Sequence, residues 1–467
     1  MTSAEKEYLT LKEAAELTGK TVSNISYLIQ YKRVHKYNER GERVEKVESG
    51  RLRVKRTELL GYLERWNHKL ELQKKALKIR TLADELAFFG VPERERTKHV
   101  HRLHPYLGKF IPQLVEYFLE RHFKAGDTII DPFVGSGTTL VQANEMGMNS
   151  IGIEISEFNY LISKVKTAKY DLNLLEREIK DAFNRTGIFS ENLASKHRQL
   201  TLISDSLHEL DTESDYLKTW FAERTLKELL YYRSLIPQYQ YQDVLKVILS
   251  RTARSCRLVP HYDLASAEKP VREPYWCYKH KRTCSPIGTA IGKLKFYSTD
   301  TIRRIREFSK LRTDSRVEVI LSDSRHIRLE DHIDKHWLSE HMPDGVFTSP
   351  PYVGQIDYHE QHRYAYELLG ITRRDELEIG PKSKGKTEEA KKQYAGDISR
   401  VFRNLKMYFR PSALIFIVAN DKFSLYPEIA EKSGLKILEV YERPVSNRTE
   451  RDKRPYSENI FKMAYTE

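Results

Sequence analysis

The chain has 467 residues, 40% hydrophobic and 31% charged, with a formal net charge of +13 and an isoelectric point near 9.2. That length allows two or three domains with a substantial core, the composition excludes a disordered or fibrous chain, and the basic surplus favours a polyanionic partner whose phosphates exchange counterions for Lys and Arg. Three cysteines exclude a disulfide framework, no apolar run approaches the roughly 20 residues of a bilayer span, and the N-terminus, with Glu5, Lys6 and Glu7, lacks a secretory profile, so a cytoplasmic protein with no membrane partner is expected.

Residues 1–66 read as a separate module. Leu11, Ala14, Ala15 and Leu17 form an apolar helical stripe that stops at Gly19, and Thr21 is placed to cap a second helix through Ile25, Leu28 and Ile29. Residues 34–54 carry Gly41 and Gly50 among many charges, which suits a two-stranded wing, and residues 57–66 read as a closing helix. Tyr8-Leu9-Thr10-Leu11-Lys12-Glu13-Ala14-Ala15 and Val22-Ser23-Asn24-Ile25-Ser26-Tyr27-Leu28-Ile29 resemble the winged helix-turn-helix of the excisionase and MerR-like group. The resemblance implies that Ser23, Asn24, Ser26 and Tyr27 open a recognition helix and that Lys32, Arg33, Lys36, Arg51 and Arg53 face phosphates or bases. A protein-interaction module with a solvated charged surface is the alternative. Residues 67–99, rich in Lys, Glu and Leu, read as a linking helix.

Asp127-Thr128-Ile129-Ile130-Asp131 is a short β-branched strand ending in an acid. It runs into Pro132-Phe133-Val134-Gly135-Ser136-Gly137-Thr138-Thr139 and then a helix through Leu140, Val141, Ala143 and Met146. Glycines in such a turn lack the Cβ atoms that would keep a ligand from the backbone N–H groups. A second strand, residues 150–153, ends in Glu154, placed to accept both hydroxyls of a ribose. The turn lacks the Lys-Ser/Thr ending of a phosphate-gripping loop, so an ATPase is a poor reading.

Beyond Glu154 the sheet pattern is interrupted as far as residue 317. Helical stretches at 216–235 and 241–250 read as packing. Arg251, Arg254 and Arg257, followed by Tyr275-Trp276-Cys277-Tyr278-Lys279-His280-Lys281-Arg282, interleave cations with aromatics. That suits Arg254, Lys279, Lys281 and Arg282 on phosphates and the rings on bases, against the alternative of a charged surface loop. Cys256, Cys277, His280 and Cys284 are zinc-type ligands, but Cys-x2-His-x3-Cys lacks paired Cys-x2-Cys knuckles, and no metal is expected there.

Thr348-Ser349-Pro350-Pro351-Tyr352 ends the short apolar strand 345–347. Each proline fixes its backbone torsion and removes an N–H donor, so carbonyl oxygens at this tip lack ladder partners and can hold an exocyclic amino group while Tyr352 stacks on a planar base. Together with Asp131 to Thr139, this pentapeptide resembles the amino-group DNA methyltransferases that use S-adenosylmethionine. The resemblance extends to His104-Pro105-Tyr106-Leu107-Gly108-Lys109-Phe110-Ile111-Pro112, to Ser322-Asp323 after the strand 317–321, and to strands at 412–418, 435–441 and 459–465. It covers about residues 100–170 and 315–467.

It implies an α/β fold, a Rossmann-like class I methyltransferase sheet of seven strands with a helical insertion, beside the winged helix-turn-helix. Implied cofactor residues are Phe110, Pro112, Asp131, Phe133, Gly135, Gly137, Thr138, Glu154 and Asp323, the last on the adenine amino group. Ser349, Pro350, Pro351 and Tyr352 are the implied catalytic set. The expected divisions are 1–66 for the DNA-binding module, 67–99 for the linker, 100–170 for the cofactor half, 171–314 for a target-recognition insertion and 315–467 for the catalytic half. In this family Ser or Thr before Pro-Pro-Tyr goes more often with N4 of cytosine and Asp or Asn with N6 of adenine, so Ser349 favours cytosine. Adenine is the alternative within the class, and a DNA-binding regulator with an inactive methylase fold is the alternative from another class. The expected partner is double-stranded DNA, in a restriction-modification or related system. No nuclease constellation is visible, so a possible restriction endonuclease is expected on another chain.

Overall fold

The computed structural model describes residues 6–466 except 31–32, 46–51, 79, 89, 107, 109, 196–209, 265–267 and 446–455. They form two compact units, Met1–Arg80 and Thr81–Glu467.

In the first unit the helix Leu11–Thr18 begins on a capping box, in which Thr10 Oγ1 accepts from the Glu13 N–H and the Glu13 carboxylate accepts from the Thr10 N–H. Gly19 ends it in the left-handed conformation, at φ 63°. The second helix, Val22–Gln30, is capped as expected by Thr21, whose hydroxyl accepts from the Asn24 N–H at 3.2 Å. Leu9, Ala14, Ile25, Ile29, Val54 and Leu59 close the core between them. The wing differs from expectation: β1 (Tyr8–Thr10) pairs antiparallel with β2 (Arg53–Lys55), and Tyr37 bridges both Arg43 and Arg53.

The closing helix runs Arg56–Lys78 and absorbs the first part of the expected linking helix. The remainder of residues 67–99 is not helical as expected: β3 (Arg80–Leu82), a 3-10 turn at Asp84–Ala87 and a single helical turn at Glu93–Arg96 replace it. Backbone pairing at the sheet edge outweighs the helical composition there, with the Ala83 N–H donating to the Glu442 carbonyl at 2.9 Å.

The second unit is built on a sheet ordered β3-β11-β12-β10-β9-β4-β5-β8. Its further strands are β4 (Thr128–Asp131), β5 (Asn149–Glu154), β8 (Val317–Leu321), β9 (Gly345–Thr348), β10 (Leu414–Ala419), β11 (Leu435–Val445) and β12 (Tyr456–Tyr465). The chain therefore has an α/β Rossmann-like methyltransferase fold; the expected seven strands are present and β3 adds an eighth. The block from β8 to β10 is parallel, and β12 runs antiparallel between β10 and β11. Parallel strands covered on both faces read as continuous apolar runs, and every residue of β4 and β9 is buried. A separate two-stranded hairpin is formed by β6 (Tyr275–Cys277) and β7 (Arg282–Cys284).

β4 and β9 lie side by side, Ile130 opposite Val346. On its other side Gly345 lets β9 lie close to β10 and Phe123: a Cβ there would sit 2.4 Å from the Phe123 ring and 2.5 Å from the Leu414 carbonyl oxygen. Helices between β5 and β8, including Leu172–Ala194, Glu223–Leu235, Gln242–Cys256 and Ile291–Ser309, share one apolar core with the helix Arg363–Leu369. Among the described residues no helix is long and apolar enough to cross a membrane.

Candidate active site

Asp131, Glu154, Asp323 and Ser349 stand at or just beyond the carboxyl ends of β4, β5, β8 and β9, and all four line one open cavity. Open α/β sheets bind ligands at that edge. Two hydrogen bonds fasten the β4 and β9 tips: Thr348 Oγ1 donates to Asp131 at 2.6 Å, and Thr139 Oγ1 donates to the Phe347 carbonyl at 3.1 Å. The glycine turn and the Pro-Pro-Tyr tip, 217 residues apart in the chain, thus become one wall.

Gly135 (φ 50°) and Gly137 (φ 77°) hold left-handed conformations that side chains disfavour. A Cβ on Gly135 would meet the Tyr106 hydroxyl at 3.1 Å, so bare backbone faces the cavity there. Glu154 braces the turn, one carboxylate oxygen accepting from the Gly135 N–H and the other from the Ser156 N–H, each at 2.9 Å. Burial is the largest influence on both acids: it raises Asp131 to about 6 and Glu154 to about 7, although hydrogen bonds to each carboxylate pull the other way.

Phe110, Phe133 and Thr138, expected at the cofactor, also line the cavity. Pro112 and Gly137 do not: Pro112 opens the helix Pro112–His122, and Gly137 caps the helix Thr138–Glu145. Asp323, expected on an adenine amino group, lies in the wall and is held by Arg325. Arg325 Nε reaches both of its oxygens at 3.0 Å, Nη2 donates at 2.7 Å, and the Arg325 N–H donates at 2.9 Å.

Ser349 and Pro351 line the cavity, whereas Pro350 is buried behind them and Tyr352 is half-buried outside its lining. The Tyr352 hydroxyl donates to Glu458 of β12 at 3.1 Å. Glu458 in turn takes Arg443 of β11 at 2.7 Å, both almost fully buried, and Arg443 Nη1 donates to the Leu86 carbonyl. Sequence reasoning missed this chain, and also Glu378, which binds the His359 imidazole and the N–H groups of Tyr358 and His359. No motif marks either acid; burial is the only signal. Tyr358 and His359, just beyond the Pro-Pro-Tyr tip, stand in the cavity wall. Tyr106 stacks between Tyr358 and His362, and burial drives the His362 imidazole down to about 3. Asn159 Oδ1, Ser136 Oγ and Thr138 Oγ1 are buried in residues lining the cavity with no partner in the protein. With the open glycine turn, these orphaned groups fit a polar nucleoside.

The residues expected to meet nucleic acid fall into two groups. Ser23, Asn24, Ser26 and Tyr27 are exposed on the helix Val22–Gln30, Arg33 and Lys36 are half-buried, and Arg53 pairs with Glu39 at 3.0 Å. Lys32 and Arg51 lie outside the described residues. Lys279, Lys281 and Arg282 are exposed on the β6–β7 hairpin beside Trp276 and Tyr278. The preceding arginines differ from expectation. Arg251 is buried against Asp300 at 2.8 Å, and Arg254 is largely desolvated near Tyr364 and Arg257, because the helix carrying them packs into the insertion core.

A family model described as DNA methylase matches residues 12–165. The type II methyltransferase M.MjaII of Methanocaldococcus jannaschii is 44% identical over 535 aligned positions, which cover 99% of this chain and 98% of that protein. M.BsoBI of Geobacillus stearothermophilus is 24% identical, over 65% of this chain and 60% of its own length. M.MvaI of Kocuria varians is 23% identical, over 66% and 65%.

Proposed function

We propose, from the premise that the chain belongs to the type II amino-group DNA methyltransferases, that it methylates the N4 amino group of cytosine in double-stranded DNA within a restriction-modification system. S-adenosylmethionine is the methyl donor, and its sulfonium supplies an activated methyl group together with the leaving group. The chain's own task is alignment. A planar amino nitrogen has its lone pair delocalised into the ring. The Ser349 hydroxyl and the Pro350 carbonyl accept its two N–H bonds and turn it toward a tetrahedral shape, and the Tyr352 ring stacks on the extruded base. The observation that carries the choice of cytosine is Ser349 in the cavity wall directly before Pro-Pro-Tyr.

The exposed face of the helix Val22–Gln30 and the basic hairpin supply phosphate and base contacts in this reading. Nucleoside mass analysis of duplex DNA treated with the enzyme is expected to find N4-methyldeoxycytidine. N6-methyldeoxyadenosine would overturn the base assignment, and methylation confined to RNA would overturn the DNA reading. In the same assay the Asn24→Ala/Tyr27→Ala variant is expected to raise the KM for DNA while yielding the same nucleoside; an unchanged KM removes that helix from the interface.

Glu154 gives the donor site a pH dependence. Ribose hydroxyls donate to its ionised form, so below pH about 7 binding must first displace a proton. Affinity for S-adenosylmethionine is expected to fall with decreasing pH, by up to about tenfold per unit. Calorimetric titration between pH 5.5 and 8.5 measures this, and a flat profile excludes Glu154 as the ribose acceptor.

A further inference from the structure

Four side chains of the insertion, His261, Cys277, His280 and Cys284, bring their ligand atoms within 4.8 Å of one another. His280 Nδ1 lies 3.4 Å from Cys284 Sγ and 3.6 Å from Cys277 Sγ, and His261 Nδ1 lies 4.0 Å from Cys277 Sγ. A tetrahedral zinc ion, with bonds of about 2.3 Å to sulfur and about 2.0 Å to nitrogen, sets its ligand atoms on the order of 3.3–3.8 Å apart. We propose that His261, Cys277, His280 and Cys284 hold one structural zinc ion that fixes the β6–β7 hairpin.

The expectation of no metal rested on the absence of paired Cys-x2-Cys knuckles and took Cys256 as the fourth ligand, whereas His261 is the residue that stands with the other three. Cys256 sits in the core at the end of the helix Gln242–Cys256, fully buried among apolar side chains, and burial pushes its thiol up to about 12. The chain leaves that helix and returns His261 to the hairpin, where its N–H donates to the Tyr275 hydroxyl at 3.0 Å. The complete pattern is His-x15-Cys-x2-His-x3-Cys.

The hairpin itself calls for such a clamp. Its strands are three residues each, with Cys277 opposite Arg282 and Tyr275 opposite Cys284, and it forms a sheet of its own. An isolated two-stranded hairpin is marginally stable in water. Its turn also holds Lys281 in the left-handed region, at φ 52° without the freedom of glycine, a conformation that persists only where its surroundings enforce it. Ligands on both sides of Lys281, at 280 and 284, supply that enforcement. Two thiolates, two neutral imidazoles and Zn²⁺ sum to zero charge, so the exposed Lys279, Lys281 and Arg282 keep their whole charge for a polyanion while the clamp fixes their spacing.

The test measures metal, not methylation, so it stands or falls apart from the choice of base. Full-length protein purified without chelators is expected to carry about one zinc per chain by elemental mass spectrometry. Cys256→Ser should retain it, and Cys277→Ser and His261→Ala should lose it. If those variants fail to fold, cobalt exchanged into the unaltered protein is expected to show tetrahedral visible bands and a thiolate charge-transfer band. Zinc far below one equivalent, a cobalt spectrum without thiolate charge transfer, or retention by His261→Ala with loss by Cys256→Ser would overturn the site.

Discussion

Ser349→Ala is expected to lower the rate of methyl transfer on the order of 100-fold while leaving the Kd for S-adenosylmethionine within about twofold of the parent. Ser349 reaches the cavity from the β9 tip, whereas the groups assigned to the donor belong to the glycine turn and to Glu154, at the ends of β4 and β5. Removing its hydroxyl takes away one of two acceptors for the reacting amino group. Loss of one preorganised polar group at a reacting atom costs about 2.7–4 kcal/mol of transition-state stabilisation. The ground-state cradle is untouched. Single-turnover kinetics and calorimetry separate the two quantities. A variant that methylates at the parent rate, or that no longer binds the donor, refutes the role. Ser349→Thr, which keeps the hydroxyl, is expected to retain most of the rate.

Arg443→Met is expected to destabilise the second unit by about 3–5 kcal/mol, because it strands the buried Glu458 carboxylate without the cation 2.7 Å away. Urea unfolding followed by tryptophan fluorescence reads the loss. The same substitution should slow methyl transfer, since Glu458 also accepts from the Tyr352 hydroxyl. The Arg443→Leu/Glu458→Leu pair separates the effects. Replacing both charges with apolar groups should restore most of the stability, and transfer should stay slow because Tyr352 has lost its anchor. Parent-like stability of Arg443→Met, or parent-like turnover of the pair, would show that this chain of contacts does not position the tip.

The half of the site assigned to the donor was legible because its requirements are local. A β-branched strand, an acid and a glycine turn follow one another within about ten residues, and each residue type is there for a backbone reason. The β9 tip was legible for the same reason: prolines announce themselves. What the sequence concealed depends on partners far along the chain. Glu458 reads as one polar residue in an alternating strand until β12 brings it to Tyr352. Asp323 stands where the strand pattern placed it, yet Arg325, two residues on, takes up its carboxylate. Arg251 looked like part of a basic surface because charge is visible in sequence and a buried acid such as Asp300 is not. β3 escaped notice because edge pairing runs through backbone groups that every residue carries.

The fastening of Asp131 to Thr348 also sets a timetable for synthesis. At roughly 5–20 residues per second, a ribosome that has completed Asp131 adds the 217 residues leading to Thr348 over roughly 10–45 s. Another 106 separate Tyr352 from the glutamate that anchors its ring, roughly 5–20 s more. The contact between Tyr352 and Glu458 therefore forms only once β12, the last strand of the sheet to be made, lies between β10 and β11.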